Sequence, residues 1–195
     1  MSEKKSSLVA PYIALMKLRV VELLLVTTLP ALFLAAKGVP SASVTAATLI
    51  GGTLAAGASN AFNMIIEVDS DRLMNRTSKR PLVTGEISEQ AAFVFASVLT
   101  VLSLTILKLF TNTLATVLTA AAIVFYVLGY TIGLKRRTSQ NIVWGGIAGC
   151  MPVLIGWAAV ADRLSLTAWL FFILIFFSAK RKESVETKTR FSSSL

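Results

Sequence analysis

The residues Asn60-Ala-Phe-Asn63-Met-Ile-Ile-Glu67-Val-Asp69-Ser-Asp71-Arg72-Leu-Met-Asn-Arg76-Thr-Ser-Lys79-Arg80-Pro81-Leu82 mark the point where an apolar run gives way to a dense group of charges. Such a change reads as a membrane-crossing helix opening at a membrane surface. Asn63, Glu67 and Asp71 are spaced i, i+4, i+8, which on a helix places three oxygen-bearing side chains along one stripe. Oxygen clusters suit Mg²⁺, a hard cation that usually also takes substrate phosphates as ligands. Asp69 falls on another face and is read either as a further metal ligand or as an acid that orients a base. Arg72, Arg76, Lys79 and Arg80 follow at once. Metal-binding acids beside phosphate-binding bases match what a diphosphate needs. An ordinary charged loop between two membrane helices would look the same, and spacing alone does not separate the two.

Working outward, the 195-residue chain is 55% hydrophobic, with a mean hydropathy of +0.73. A soluble domain of this size is less apolar. Apolar runs at 20–36, 45–63, 91–110, 114–132, 142–160 and 166–177 are mostly too long for strands. In lipid only helices or closed barrels satisfy the backbone. The expectation is an all-α, multi-pass transmembrane bundle of about six helices. Residues 1–177 form the membrane domain, and a polar, disordered tail covers 178–195. The basic start and long first run give no convincing cleavable signal.

The net charge of +9 is distributed asymmetrically. With the N-terminus in the cytoplasm, 16 of the 19 Lys and Arg residues fall on cytoplasmic segments, leaving Lys37, Lys108 and Arg163 outside. That is the positive-inside pattern. It argues for a multi-pass protein with both ends in the cytoplasm and a lipid bilayer, not nucleic acid, as its partner. Histidine is absent and Cys150 is the one cysteine, so any metal site uses oxygen ligands and no disulfide forms within the chain. A second basic segment, Lys135-Arg136-Arg137, lies on the same side as the acids; it is either a topological anchor or the other wall of one anion site. Gly51, Gly52, Gly57 and the Gly145/Gly149 pair are read as helix contacts or as the lining of a channel.

Asn63-x3-Glu67-x3-Asp71 resembles the first acidic motif of the intramembrane prenyltransferases of the UbiA superfamily. Asp69-x-Asp71-x-x-Met74-x-Arg76-Thr77-x-x-Arg80-Pro81-Leu82 is similar to that of the protoheme IX farnesyltransferases within it. Lys17-x-Arg19-Val20-x-Glu22 resembles the first helix of those enzymes. Tyr130-Thr-x-x-Leu134-Lys135-Arg136-x-Thr138-x-Gln140-Asn141, running on to Trp157, resembles their central block. Glu67 replaces an Asp, and Leu18 a Pro, of the family pattern.

The resemblance implies transfer of a farnesyl group from farnesyl diphosphate to a vinyl group of haem b, giving haem O, at the cell membrane. It implies Mg²⁺ held through diphosphate, with haem b as substrate and other membrane enzymes of haem metabolism as candidate partners. Asn63, Glu67, Asp71 and Asp69 fall to the metal. Arg76, Lys79, Arg80, Tyr130, Lys135, Arg136 and Asn141 fall to diphosphate or haem propionates. Past Phe177 the likeness stops: Ser178-Ala-Lys-Arg-Lys-Glu stands where the family continues with a second acidic motif and further spans. This reads as a truncation or frameshift, with little activity expected of the chain by itself. Another superfamily prenyltransferase, acting for example on a quinone precursor, and a non-catalytic membrane protein are the competing readings. The central block argues against the first of these; the altered C-terminal sequence favours the second.

Overall fold

The computed structural model describes residues 9–134 and 141–178. All six apolar runs are helical. The first is α2 (Leu18–Ala36), preceded by a short α1 (Ala10–Met16); the second is α3 (Ala42–Ile66). Two short helices, α4 (Val68–Arg72) and α5 (Pro81–Thr84), follow and lead into α6 (Glu89–Phe110). The fourth run is α7 (Thr113–Val124), continued by a π-helical segment, Phe125–Leu134, and the fifth is α8 (Asn141–Ala161). The sixth is α9 (Leu166–Ser178). Leu18–Ala36, Ala42–Ile66 and Glu89–Phe110 are each long and apolar enough to cross a membrane. Of the tail expected at 178–195, Ser178 is the last residue of α9 and the rest lies outside the described residues.

The residues that break these helices are identifiable. Lys17 separates α1 from α2 with φ 51°, the left-handed conformation that closes a helix. Asn112 caps α7, its Oδ1 accepting from the Ala115 N–H at 2.8 Å, and Ser88 caps α6 through the Ala91 N–H at 3.2 Å. Pro30 in α2 and Pro152 in α8 sit inside helices that pack on one another. Pro-containing helices are tolerated in a membrane bundle because neighbours re-satisfy the freed groups.

Side chains are distributed as in a lipid-embedded bundle. Val98, Val101, Leu102 and Leu109 of α6 are exposed, whereas Ser103, Thr48, Thr119, Asn60 and Asn63 are buried. Packing depends on small residues where helices meet. A Cβ on Gly51 of α3 would come within 2.8 Å of the Leu107 side chain of α6, and beside it Ser103 Oγ donates to the Gly51 carbonyl at 2.7 Å. Gly57 makes room for Met16 of α1. For Gly149 the second of the two readings, the lining of a channel, is the one that fits. Nothing stands within 4 Å of its Cβ position, and it lines a cavity.

A core of Leu15, Ala61, Met64, Val68, Leu82, Ile87, Ala92 and Ala96 ties α1, α4 and α5 to the adjoining ends of α3 and α6. This packing fixes the charged connection from α3 to α6 over the bundle end.

Candidate functional site: an acid–base cluster above an apolar cavity

The stripe anticipated for Asn63, Glu67 and Asp71 is present, but the helix carrying it is not continuous. α3 closes at Glu67, where φ is −97° and ψ 0°, and α4 restarts at Val68. Two backbone hydrogen bonds bridge the break: Glu67 N–H to Asn63 O at 3.1 Å and Asp71 N–H to Glu67 O at 2.8 Å. The i, i+4, i+8 relation therefore survives a change of helix. Asn63 and Asp71 are both buried, at 2% and 4% exposure.

Burial of a carboxylate demands a partner. Arg80 supplies it, pairing with Asp71 and lying 4.0 Å from Glu67. The intervening connection is folded back to make this possible. The buried Thr77 hydroxyl donates to the Asp71 carbonyl at 2.9 Å, and Arg80 N–H donates to Thr77 O at 3.0 Å. From the other side, Lys17 Nζ donates to Asn63 Oδ1 at 3.4 Å. The left-handed Lys17 ends α1, and Asn60 Nδ2 donates to the Met16 carbonyl there at 2.9 Å.

The remaining candidates are placed differently. Asp69 is not brought into the cluster. Its side chain is 87% exposed and pairs with Arg72 at 3.1 Å, because a one-turn α4 turns it away from the stripe. Arg76 and Lys79 are exposed on the connection. Tyr130 lies in the π-helical segment and Asn141 begins α8. Lys135 and Arg136 lie outside the described residues.

One turn deeper than Asn63, Asn60 lines a cavity of about 270 Å³ between α2, α3, α7 and α8. From Asn60 to Thr48 its wall follows α3 for ~18 Å at 1.5 Å per residue. Its surface is apolar even where the sequence is not. The hydroxyls of Thr28, Thr48, Ser59 and Thr119 donate to carbonyls four residues back on their own helices, at 2.7–2.9 Å. Gly52 and Gly149 face it with no neighbour within 4 Å of their Cβ positions.

The donor set fits Mg²⁺ in kind: a carboxamide and two carboxylates, all oxygen, on successive turns. Among the described residues no group of three or more His, Cys, Asp and Glu could hold a metal by itself. Such a site therefore suits a cation that draws its remaining ligands from a substrate. Sequence reading missed Lys17 as a member of the cluster. Its contact spans 46 positions, and only its placement on the same membrane side hinted at it.

Proteins of known name and structure resemble this chain closely. It is 55% identical over 168 residues to the protoheme IX farnesyltransferase of Leifsonia xyli subsp. xyli, covering 86% of this chain and 55% of that protein. It is 54% identical over 172 residues to protoheme IX farnesyltransferase 1 of Saccharopolyspora erythraea, covering 88% and 55%. The chain thus spans about half the length of these relatives. In three dimensions it matches the apo structure of a UbiA homolog from Aeropyrum pernix K1 with a TM-score of 0.68 at 22% identity, over 83% of this chain and 60% of that one. A UbiA homolog from Archaeoglobus fulgidus, bound to GPP and Mg²⁺, matches with a TM-score of 0.67 at 21% identity, over 87% and 59%. The sequence signature of the UbiA prenyltransferase family covers residues 24–179. The chain belongs to the UbiA prenyltransferase family.

Proposed function

We propose that this chain binds farnesyl diphosphate and takes part in transferring its farnesyl group to a vinyl group of haem b, forming haem O at the cytoplasmic face of the cell membrane. The observation that carries the reading is the acid–base cluster set directly above an apolar cavity, both built on α3. An amphiphile with a diphosphate head and an isoprenoid tail fits two such compartments. The Archaeoglobus homolog, with GPP and Mg²⁺, supports this class of ligand. The names of the 55%- and 54%-identical relatives support haem b as acceptor.

Asn63, Glu67 and Asp71 would hold the metal. Mg²⁺, when bound, supplies positive charge against the diphosphate leaving group. Arg80, with Arg76, Lys79, Lys135 and Arg136, binds phosphate oxygens, where guanidinium offers paired donors. The C–O bond of farnesyl diphosphate breaks with its electron pair leaving on diphosphate. The allylic cation is kept from water by a cavity whose Thr28, Thr48, Ser59 and Thr119 hydroxyls are committed to the backbone. The vinyl group of haem b attacks it, and water adds to the resulting cation with loss of a proton.

Calorimetry of the whole chain in detergent, with farnesyl diphosphate in the presence and absence of Mg²⁺, tests the reading. Binding should depend on Mg²⁺ and be lost in Asp71→Asn. Binding indifferent to both would overturn it. Mass spectrometry of reactions offered haem b or an aromatic quinone precursor identifies the acceptor: whatever low turnover the chain supports should yield haem O only.

A further inference from the structure

We propose that Lys17 and Arg80 are resident counter-cations that hold the metal donors until a diphosphate arrives, so that the site takes Mg²⁺ together with diphosphate and resists Mg²⁺ alone. The proposal rests on the diphosphate reading above and adds an order of events to it. Each donor of the stripe already has one of the chain's own cations on it. Arg80 pairs with Asp71 and lies 4.0 Å from Glu67, and Lys17 Nζ contacts Asn63 Oδ1 at 3.4 Å. The two cations come from unrelated segments, the α1–α2 break and the end of the α3–α6 connection. Each is fixed there by its backbone: Lys17 by its left-handed geometry, Arg80 by the Thr77 hydrogen bonds.

Charge balance then decides what can enter. Two carboxylates with Arg80 on them, and Lys17 on the carboxamide of the same stripe, sum to no net charge, in a cluster where Asp71, Glu67 and Arg80 side chains are 6%, 13% and 19% exposed. Adding a divalent cation alone leaves excess positive charge in a poorly solvated place and displaces both side chains without a new partner. Mg²⁺ also gives up its water reluctantly. A diphosphate arriving with the metal changes the balance, because its oxygens offset the metal charge and give Lys17 and Arg80 somewhere to go. Both are long side chains that can change partner without backbone movement. The cations that seal the site in its resting state become the ones that grip the phosphate.

Isothermal titration of the whole chain in detergent, with MgCl₂ alone and with preformed Mg²⁺–inorganic diphosphate, reads this directly. The complex should bind the wild-type chain about tenfold or more tightly than the metal alone. Arg80→Gln should raise affinity for Mg²⁺ alone and lower affinity for the complex. Lys17→Asn, which keeps a residue tolerant of left-handed backbone, should shift both in the same directions. If Arg80→Gln does not fold, the wild-type comparison and Lys17→Asn still decide. Equal wild-type affinity for metal and complex, or variants in which affinity for Mg²⁺ alone does not rise, would overturn the proposal while leaving the diphosphate site intact. A wild-type chain that binds neither the complex nor farnesyl diphosphate would remove the underlying reading, and the proposal with it.

Discussion

Asp71 is the one charged side chain of the described residues that falls fully inside the protein, and its role can be separated from its packing. Removing one member of a buried ion pair leaves the other uncompensated, at a cost of about 3–5 kcal/mol. Asp71→Ala should therefore lower thermal stability markedly as well as abolish Mg²⁺-dependent binding. Asp71→Asn keeps the shape and an acceptor oxygen for Arg80. It should lose binding just as completely while melting closer to wild type. Differential scanning fluorimetry beside calorimetry compares them; equal stability losses would mean that the charge on Asp71, not its shape or its acceptor oxygen, carries the stabilisation. Asn63, Glu67 and Asp71 could be found by eye because their spacing equals the helical repeat. Arg80 was readable as a neighbouring base, but its pairing with Asp71, and the place of Lys17 in the cluster, were not. Arg80 reaches Asp71 only because Thr77 folds the connection back, and Lys17 reaches Asn63 through a tertiary contact.

At the scale of elements, every apolar run of the sequence is a helix, since length and hydropathy decide that outcome in lipid. The short α1, α4 and α5 were not legible. They owe their geometry to packing in the core around Leu15, Val68 and Leu82 rather than to local pattern. The cap residues were readable, and one offers a measurement. Asn112 caps α7 and also donates to the Ala158 and Ala159 carbonyls of α8 at 2.6 and 3.2 Å. Asn112→Ala removes the cap, about 1 kcal/mol, and the bonds to α8, about 0.5–1.5 kcal/mol each. An urea or detergent-titration unfolding assay should show a loss of roughly 2 kcal/mol. Asn112→Asp, which keeps the cap but not the donor, should fall between the two.

Over the whole molecule, polar and apolar work is divided between two levels of the bundle, so each can be altered separately. Gly149→Leu directs a side chain into the cavity from a position with no neighbour within 4 Å. It should weaken farnesyl diphosphate at least tenfold, the order of losing a few buried methylenes at ~0.8 kcal/mol each, and leave Mg²⁺–inorganic diphosphate unchanged. Parallel loss of both ligands would show that the cavity is not the isoprenoid compartment. From the charge bias we predict that the acid cluster faces the cytoplasm. In a Cys150→Ala background, Ser139→Cys should be labelled only from the cytoplasmic face and Gly38→Cys only from the opposite one. The reverse pattern would invert the topology.

The α3–α6 pairing carries a consequence for how such a protein is made. Ser103 meets Gly51, Leu107 fills the space over Gly51, and the connection between the two helices carries Glu67, Asp71, Thr77 and Arg80. Two adjacent spans that lock together along their length form a helical hairpin able to enter the bilayer as one unit. The acids and the arginine that neutralises them then travel on the same hairpin. During insertion these carboxylates already have their arginine within the same segment, and the nascent chain needs only α1 and its lysine to complete the cluster.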